Sequence, residues 1–253
     1  MTNAANPDAS DITEDLAPPP SALAIGSHPD DIEFGCGATL AKWSSSGTAV
    51  HLLILTDGSK GTWNESDDLA GLITRREHEA RAAGHELGAD SVTLLGLVDG
   101  ELESGAAERA QVCEVIRRIK PALVLGHDPW KRYRLHPDHR HAGWLTIDGV
   151  VAARDPQFFP GLGGPHHRPD ALLLFEAEEP NHVETVDATV ANKVAALLAH
   201  RSQWLSTMGI AAGTPDEANG RAAFIARIDA TARADGALGS GGLGEAFHLM
   251  TDL

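Results

Sequence analysis

Apolar positions along the chain follow two rhythms. Short continuous runs at residues 22–25, 50–55, 92–95, 122–125 and 171–175 have the pattern of strands buried on both faces. Between them lie segments with helical periodicity, at about 37–46, 73–87, 108–120 and 139–153, and two more follow at 188–200 and 222–234. Strands alternating with helices predict βαβ units with right-handed crossovers, hence an α/β fold with a mostly parallel sheet. The polar stretch 209–220 predicts a loop or flap, and the Gly/Pro-rich stretch 158–169 another loop. Residues 1–20 are acidic and polar and end in three prolines, which predicts a disordered lead. Residues 21–253 are then a single α/β domain.

Composition mainly excludes. A chain of 253 residues with 42% hydrophobic and 22% charged residues can bury a core without staples. Its 20 Lys+Arg against 36 Asp+Glu give a net charge of −16. That balance argues against phosphate backbones and anionic membrane surfaces, both of which need clustered basic residues. No nucleic-acid partner is expected. No apolar run approaches the roughly 18 residues of a membrane span, and the lead lacks the basic and apolar segments of a signal peptide. The two cysteines, Cys36 and Cys113, make no disulfide framework, so a cytoplasmic, reducing location is expected. Thirteen histidines beside one tyrosine and three methionines are a first hint of metal or acid–base chemistry.

That hint sharpens at two places. After the first strand the chain reads Gly26-Ser27-His28-Pro29-Asp30-Asp31, where open α/β sheets bind ligands beyond the strand ends. Adjacent carboxylates on a stiff Pro-containing turn point in different directions, so one can hold a metal while the other faces water. A helix N-terminal cap explains the same acidic residues. A second cluster, His136-Pro137-Asp138-His139-Arg140-His141, follows the fourth strand. Pro137 suits the first helical position, which puts His136 and His139 on one helix face. Two such clusters are hard to explain as capping. Two histidines and a carboxylate with a position left open form the catalytic zinc pattern, so the residues themselves predict a metal hydrolase.

HPDD at 28–31 followed by Gly35 and Gly37, with HPDH at 136–139, resembles the PIG-L/LmbE-like N-deacetylase family. The likeness extends over roughly 22–205, through Arg76, Glu79, Asp99 and the run Ala199-His200-Arg201-Ser202-Gln203. By that resemblance the fold is Rossmann-like, with helices on both faces of the sheet. The resemblance also implies that His28, Asp31 and His139 ligate one divalent metal. Zinc is the first expectation, with other divalent transition metals able to use the same ligands. Asp30 is implied as general base, and His136 as oxyanion stabiliser or acid, oriented by Asp138. Arg76 and Asp99 are implied to contact the sugar. The implied reaction is hydrolysis of an N-acetyl group on a glucosamine-containing small molecule, giving acetate and a free amine.

A carboxylate such as Asp138 is also expected to raise the pKa of His136. Two other readings stand beside the main one: an amidase for a different N-acyl thiol–sugar conjugate, and a non-catalytic metal-binding module. Tyr133 and Arg134 are candidates for the oxyanion, and Trp63, Asn64 and Trp130 for substrate contact. His166, His167 and His182 are read as surface histidines, with lining the pocket rim as the alternative. Gly35-Cys36-Gly37 lacks the third glycine of a dinucleotide loop, because Leu40 stands there. A homo-oligomer is left open.

Overall fold

Strand β2 (Ser21–Gly26) lies in the middle of an eight-stranded sheet. Each of its side chains faces the opposite way from its neighbours. Ala22 and Ala24 enter one core, Leu23 and Ile25 the other, as the two-residue repeat of a strand requires. The same alternation runs through β3 (Ala49–Thr56), β5 (Leu123–His127) and β6 (Ala171–Phe175). Both faces are apolar because both are covered, so these strands read as unbroken hydrophobic runs. The structure is a computed structural model that describes residues 12–253.

The remaining strands are β1 (Thr13–Glu14), β4 (Ser91–Leu97), β7 (His182–Thr185) and β8 (Gly244–Met250), and the order across the sheet is β1-β7-β8-β6-β5-β2-β3-β4. All pairings are parallel except those of β8, which runs antiparallel to β6 and β7. The fold is α/β with a mostly parallel sheet, as expected. Helices α1 (Asp31–Ser45), α2 (Leu69–Glu86) and α5 (Val190–Ala199) cover one face. Helices α3 (Ala106–Ile119) and α4 (Pro137–Arg154) cover the other. The last helix, α6 (Glu217–Gly236), joins α5 in a small third core with Trp204, Phe224 and Ile228.

Three strands were not visible in the hydrophobic pattern. β7 carries His182 and Glu184, and β8 carries Glu245, all almost fully buried and all paired. Of the lead expected at 1–20, residues 1–11 lie outside the described residues. The rest departs from the expectation, because Thr13–Glu14 pairs with β7 and Asp15 binds Lys42 and Thr185. His182 is likewise not at the surface. Its ring bridges Thr13 Oγ1 at 2.8 Å and Glu184 Oε1 at 3.0 Å. Among the described residues no helix is long and apolar enough to cross a membrane.

Helix α1 is bent at Cys36 (φ −150°, ψ 18°), and the groups freed by the bend are taken up by buried side chains. Lys193 donates to the Phe34 carbonyl at 2.7 Å and to Glu245 Oε1 at 2.7 Å. The Glu245 carboxylate in turn accepts the N–H groups of Ala38 and Thr39. Gly35 lets the helix lie close on the sheet, since a Cβ there would sit 2.4 Å from the Phe175 ring. The first turn of α1 is thereby fixed over the ends of β5 and β6.

Candidate metal centre

The HPDD turn leaves the end of β2, where the strand order reverses between β5 and β3, the usual ligand crevice of such sheets. Asp30 at the start of α1 is in a left-handed conformation (φ 108°, ψ −24°). A non-glycine residue held there costs about 1–3 kcal/mol and persists only where its surroundings impose it. Here Arg76 imposes it. Its guanidinium donates to the carbonyls of Pro29 and Gly58 and lies 3.6 Å from Asp30 Oδ2.

HPDH begins α4, with Pro137 at its first position. This helix start brings the second motif against the first. His28 Nδ1 lies 3.1 Å from Asp31 Oδ2, His139 Nε2 lies 3.3 Å from Asp31 Oδ1, and the two histidine nitrogens are 3.3 Å apart. A tetrahedral ion with bonds of about 2.0–2.1 Å spaces its ligand atoms roughly 3.3 Å apart. The three side chains therefore fit a divalent metal. His28, His136 and His139 also come close enough to share an ion, as do Asp31, His127 and His139.

The surroundings fit a cation too. Behind His28, Nε2 lies 3.1 Å from Asp99 Oδ1 and 3.2 Å from Asp138 Oδ2, the carboxylate–histidine arrangement that orients a ligating imidazole. Burial lowers the pKa of His28, but the charge of Asp31 and hydrogen bonds to Asp138, Asp31 and Asp99 overcome it and push it up to about 12. Burial also raises Asp31, and the neighbouring His139 and His28 outweigh it, holding Asp31 well below the usual carboxylate range. Negative charge at this point calls for a positive partner. On the far side of His139, Arg134 Nη1 lies 2.9 Å from Nδ1 and 2.6 Å from Glu176 Oε2. Arg134 thus links His139 to Glu176, donating to the ring nitrogen of one and the carboxylate of the other.

Several sequence expectations change here. Asp138 serves His28 rather than His136, and its Oδ2 also accepts the Gly100 N–H at 2.6 Å. The expected rise in the pKa of His136 is not found. Burial and the positive neighbours His28 and His139 lower it, outweighing Asp138. Arg76 and Asp99 line the cavity with most of their polar atoms already partnered: Arg76 Nη1 and Nη2 by the two carbonyls, Asp99 by the His28 ring and the Lys60 N–H, while Arg76 Nε is buried without a partner. Tyr133 is 89% exposed and points away, whereas Arg134 reaches His139. Trp63 and Trp130 are exposed, Trp130 standing edge-on to Trp144, and neither lines the cavity.

Asp30, Asp31, His28, His136 and His139 share one cavity of about 520 Å³, which Phe34, Lys60, Gln203 and Arg227 also line. Burial pushes Asp30 up to about 6, with Asp31 and Glu33 adding to the rise and Arg76 and His200 opposing it. His127 belongs to neither motif and joins the site only in the folded chain. It ends β5 almost fully buried, with Nε2 3.3 Å from Asp31 Oδ2 and Nδ1 3.5 Å from Glu176. A histidine ending a buried strand beside the HPDD strand was the available signal. In the 199–203 run, Ser202 binds Glu79 through its N–H and hydroxyl, Gln203 donates to the Gly61 carbonyl, and His200 lies buried 3.3 Å from Glu33.

The chain has counterparts in both sequence and fold. The chain is 36% identical over 185 residues to a diacetylchitobiose deacetylase of Thermococcus kodakarensis, covering 72% of this chain and 69% of that protein. It is 30% identical over 229 residues to 1D-myo-inositol 2-acetamido-2-deoxy-alpha-D-glucopyranoside deacetylase 2 of Saccharopolyspora erythraea, covering 72% and 82%. Its fold is similar to that of N,N'-diacetylchitobiose deacetylase from Pyrococcus horikoshii complexed with its inhibitor. That likeness has a TM-score of 0.79 at 27% identity and covers 92% of this chain and 84% of that one. Residues 23–149, which contain both histidine–aspartate motifs, match the family described as PIG-L, GlcNAc-PI de-N-acetylase, and the chain belongs to that family.

Proposed function

We propose that the protein removes the N-acetyl group from an N-acetylglucosamine-containing small molecule or conjugate, releasing acetate and a free amine. The observation that carries this reading is the triangle of His28, Asp31 and His139 donor atoms with Asp30 on the same cavity. The triangle would hold a divalent ion, which would supply Lewis acidity to make water nucleophilic near neutral pH and to polarise the amide carbonyl. Zinc suits two histidines and an aspartate, and other divalent transition metals can use the same set.

The chain's own residues do the rest. Asp30, held by the strained turn and Arg76, accepts the proton of the attacking water as oxygen adds to the amide carbon. His136, edge-on to His28 and stacked on His139, faces the oxyanion that develops and donates an N–H to it. Asp30 then returns its proton to the departing nitrogen, so the C–N bond breaks to a neutral amine. Asp99 and Asp138 keep His28 oriented throughout. Arg76 and Asp99 also stand in the cavity wall, where the sugar would lie.

The cytoplasm is the proposed location, consistent with two buried, unpaired cysteines. The test is acetate release from N-acetylglucosamine derivatives by protein stripped with a chelator and then reloaded. Activity lost on stripping and restored by zinc or another divalent ion is expected. Full activity in the stripped protein would overturn the reading, and release of larger acids without acetate would redirect it to another acyl group.

A further inference from the structure

Phe34 lies in the first turn of α1, and its N–H closes that turn on the Asp30 carbonyl at 3.0 Å. Side chains three and four positions apart share a helix face. The Phe34 ring therefore stands beside Asp30 and Asp31, and it lines the same cavity. Among the described residues that line this cavity, Phe34 alone has an apolar side chain; the others are polar or charged, apart from Gly61.

The ring is held in place. It meets the Phe224 ring edge-on, with centroids 6.2 Å apart, and packs against the small core between α5 and α6. Its carbonyl accepts Lys193 Nζ at 2.7 Å. Behind it lies a second cavity of about 510 Å³, walled in part by Pro180, Ile228 and Leu238. Phe34 lines both cavities, together with Glu176 and Arg227. Those two are tied elsewhere, Glu176 to Arg134 and Arg227 to the Thr207 carbonyl. The apolar part of the partition is the Phe34 ring.

An N-acetylated sugar presents two unlike groups to either side of the reacting carbonyl, a polyhydroxylated ring and a methyl. Lys60, Arg76, Asp99 and Gln203 give the cavity a polar side suited to hydroxyls. Phe34 gives the methyl its apolar contact. We propose that Phe34 receives the acyl methyl and limits the acyl group to acetyl, its ring closing the way into the second cavity. This inference rests on the deacetylase reading and assigns the acyl selectivity of that reaction to one side chain. Removing the ring opens a path for a longer alkyl chain toward Pro180, Ile228 and Leu238.

The experiment compares kcat/KM for the phenyl glycosides of N-acetylglucosamine and N-hexanoylglucosamine. A single methylene in a fitted pocket changes this quantity by about 10- to 200-fold. Wild type should therefore favour the acetyl substrate at least about tenfold, and Phe34→Ala should lower that ratio at least about tenfold. Phe34→Leu should fall between. Phe224→Leu loosens the same packing but lines neither cavity, so it should keep the wild-type ratio. No acetyl preference in wild type, an unchanged ratio in Phe34→Ala, or an equal change in Phe224→Leu would overturn the assignment. If neither glucosaminide is hydrolysed, the deacetylase reading fails. Calorimetric binding of acetohydroxamate and hexanohydroxamate to the zinc-loaded protein then decides the role of Phe34 without turnover. A preference for the shorter chain that Phe34→Ala removes is expected, and equal binding of both by wild type would overturn it.

Discussion

Asp138 Oδ2 lies 3.2 Å from His28 Nε2, so the aspartate of the second motif orients the first histidine of the first. The same oxygen accepts the Gly100 N–H, which ties the loop after β4 into the pair. The two motifs are therefore one unit, although about a hundred residues separate them.

Asp138→Asn should loosen that unit, because an amide is a weaker acceptor than a carboxylate. Metal affinity is expected to fall about 10- to 100-fold, the usual cost of losing such a supporting group. Competition against a chromogenic chelator measures it. Wild-type affinity in the variant would show that Asp138 does not support the ligand.

Asp30→Asn keeps shape and hydrogen bonding but removes the base. Acetate release should drop by about 10²- to 10⁴-fold while metal content stays at the wild-type level. Elemental analysis beside the activity assay separates the two effects. A variant that loses its metal would place Asp30 among the ligands instead.

The central sheet was legible because β2, β3, β5 and β6 are buried on both faces and are built almost wholly of apolar side chains, with the buried polar Thr56 and His127 only at strand ends. The outer strands β7 and β8 were not, since His182, Glu184 and Glu245 are buried polar groups whose partners come from Thr13, Lys42 and Lys193 far along the chain. The site divided the same way. HPDD and HPDH marked the candidate ligands, because the spacing within each motif is local. The partners of those ligands depend on which loops meet at the sheet edge. Only the folded chain pairs Asp138 with His28 rather than with His136, or sets His127 beside Asp31.

Gly35→Ala tests how tightly α1 is seated. A methyl 2.4 Å from the Phe175 ring forces the helix or the ring to move, and overpacking of this kind costs about 1–3 kcal/mol. Denaturant unfolding should show a loss in that range. No loss would mean that the helix has room to shift without disturbing the site.

Asp235 gives stability a pH dependence of definite sign. Its folded pKa of about 6 lies above the ordinary unfolded value of about 3.9. The protonated group therefore favours folding at low pH, and that contribution is lost as pH rises through about 6. Asp235→Asn should raise Tm at pH 8 by about 2–4 °C and leave it unchanged at pH 4. Equal shifts at both pH values would contradict a buried, raised carboxyl.

The central claim is that His28, Asp31 and His139 hold one metal on which deacetylation depends. Elemental analysis of wild type and His139→Ala, with acetate release from N-acetylglucosamine conjugates measured on the same samples, tests it most directly. The account predicts about one divalent ion per chain in the wild type, and loss of both ion and acetate release in the variant. A His139→Ala protein that keeps its ion and its activity would contradict it.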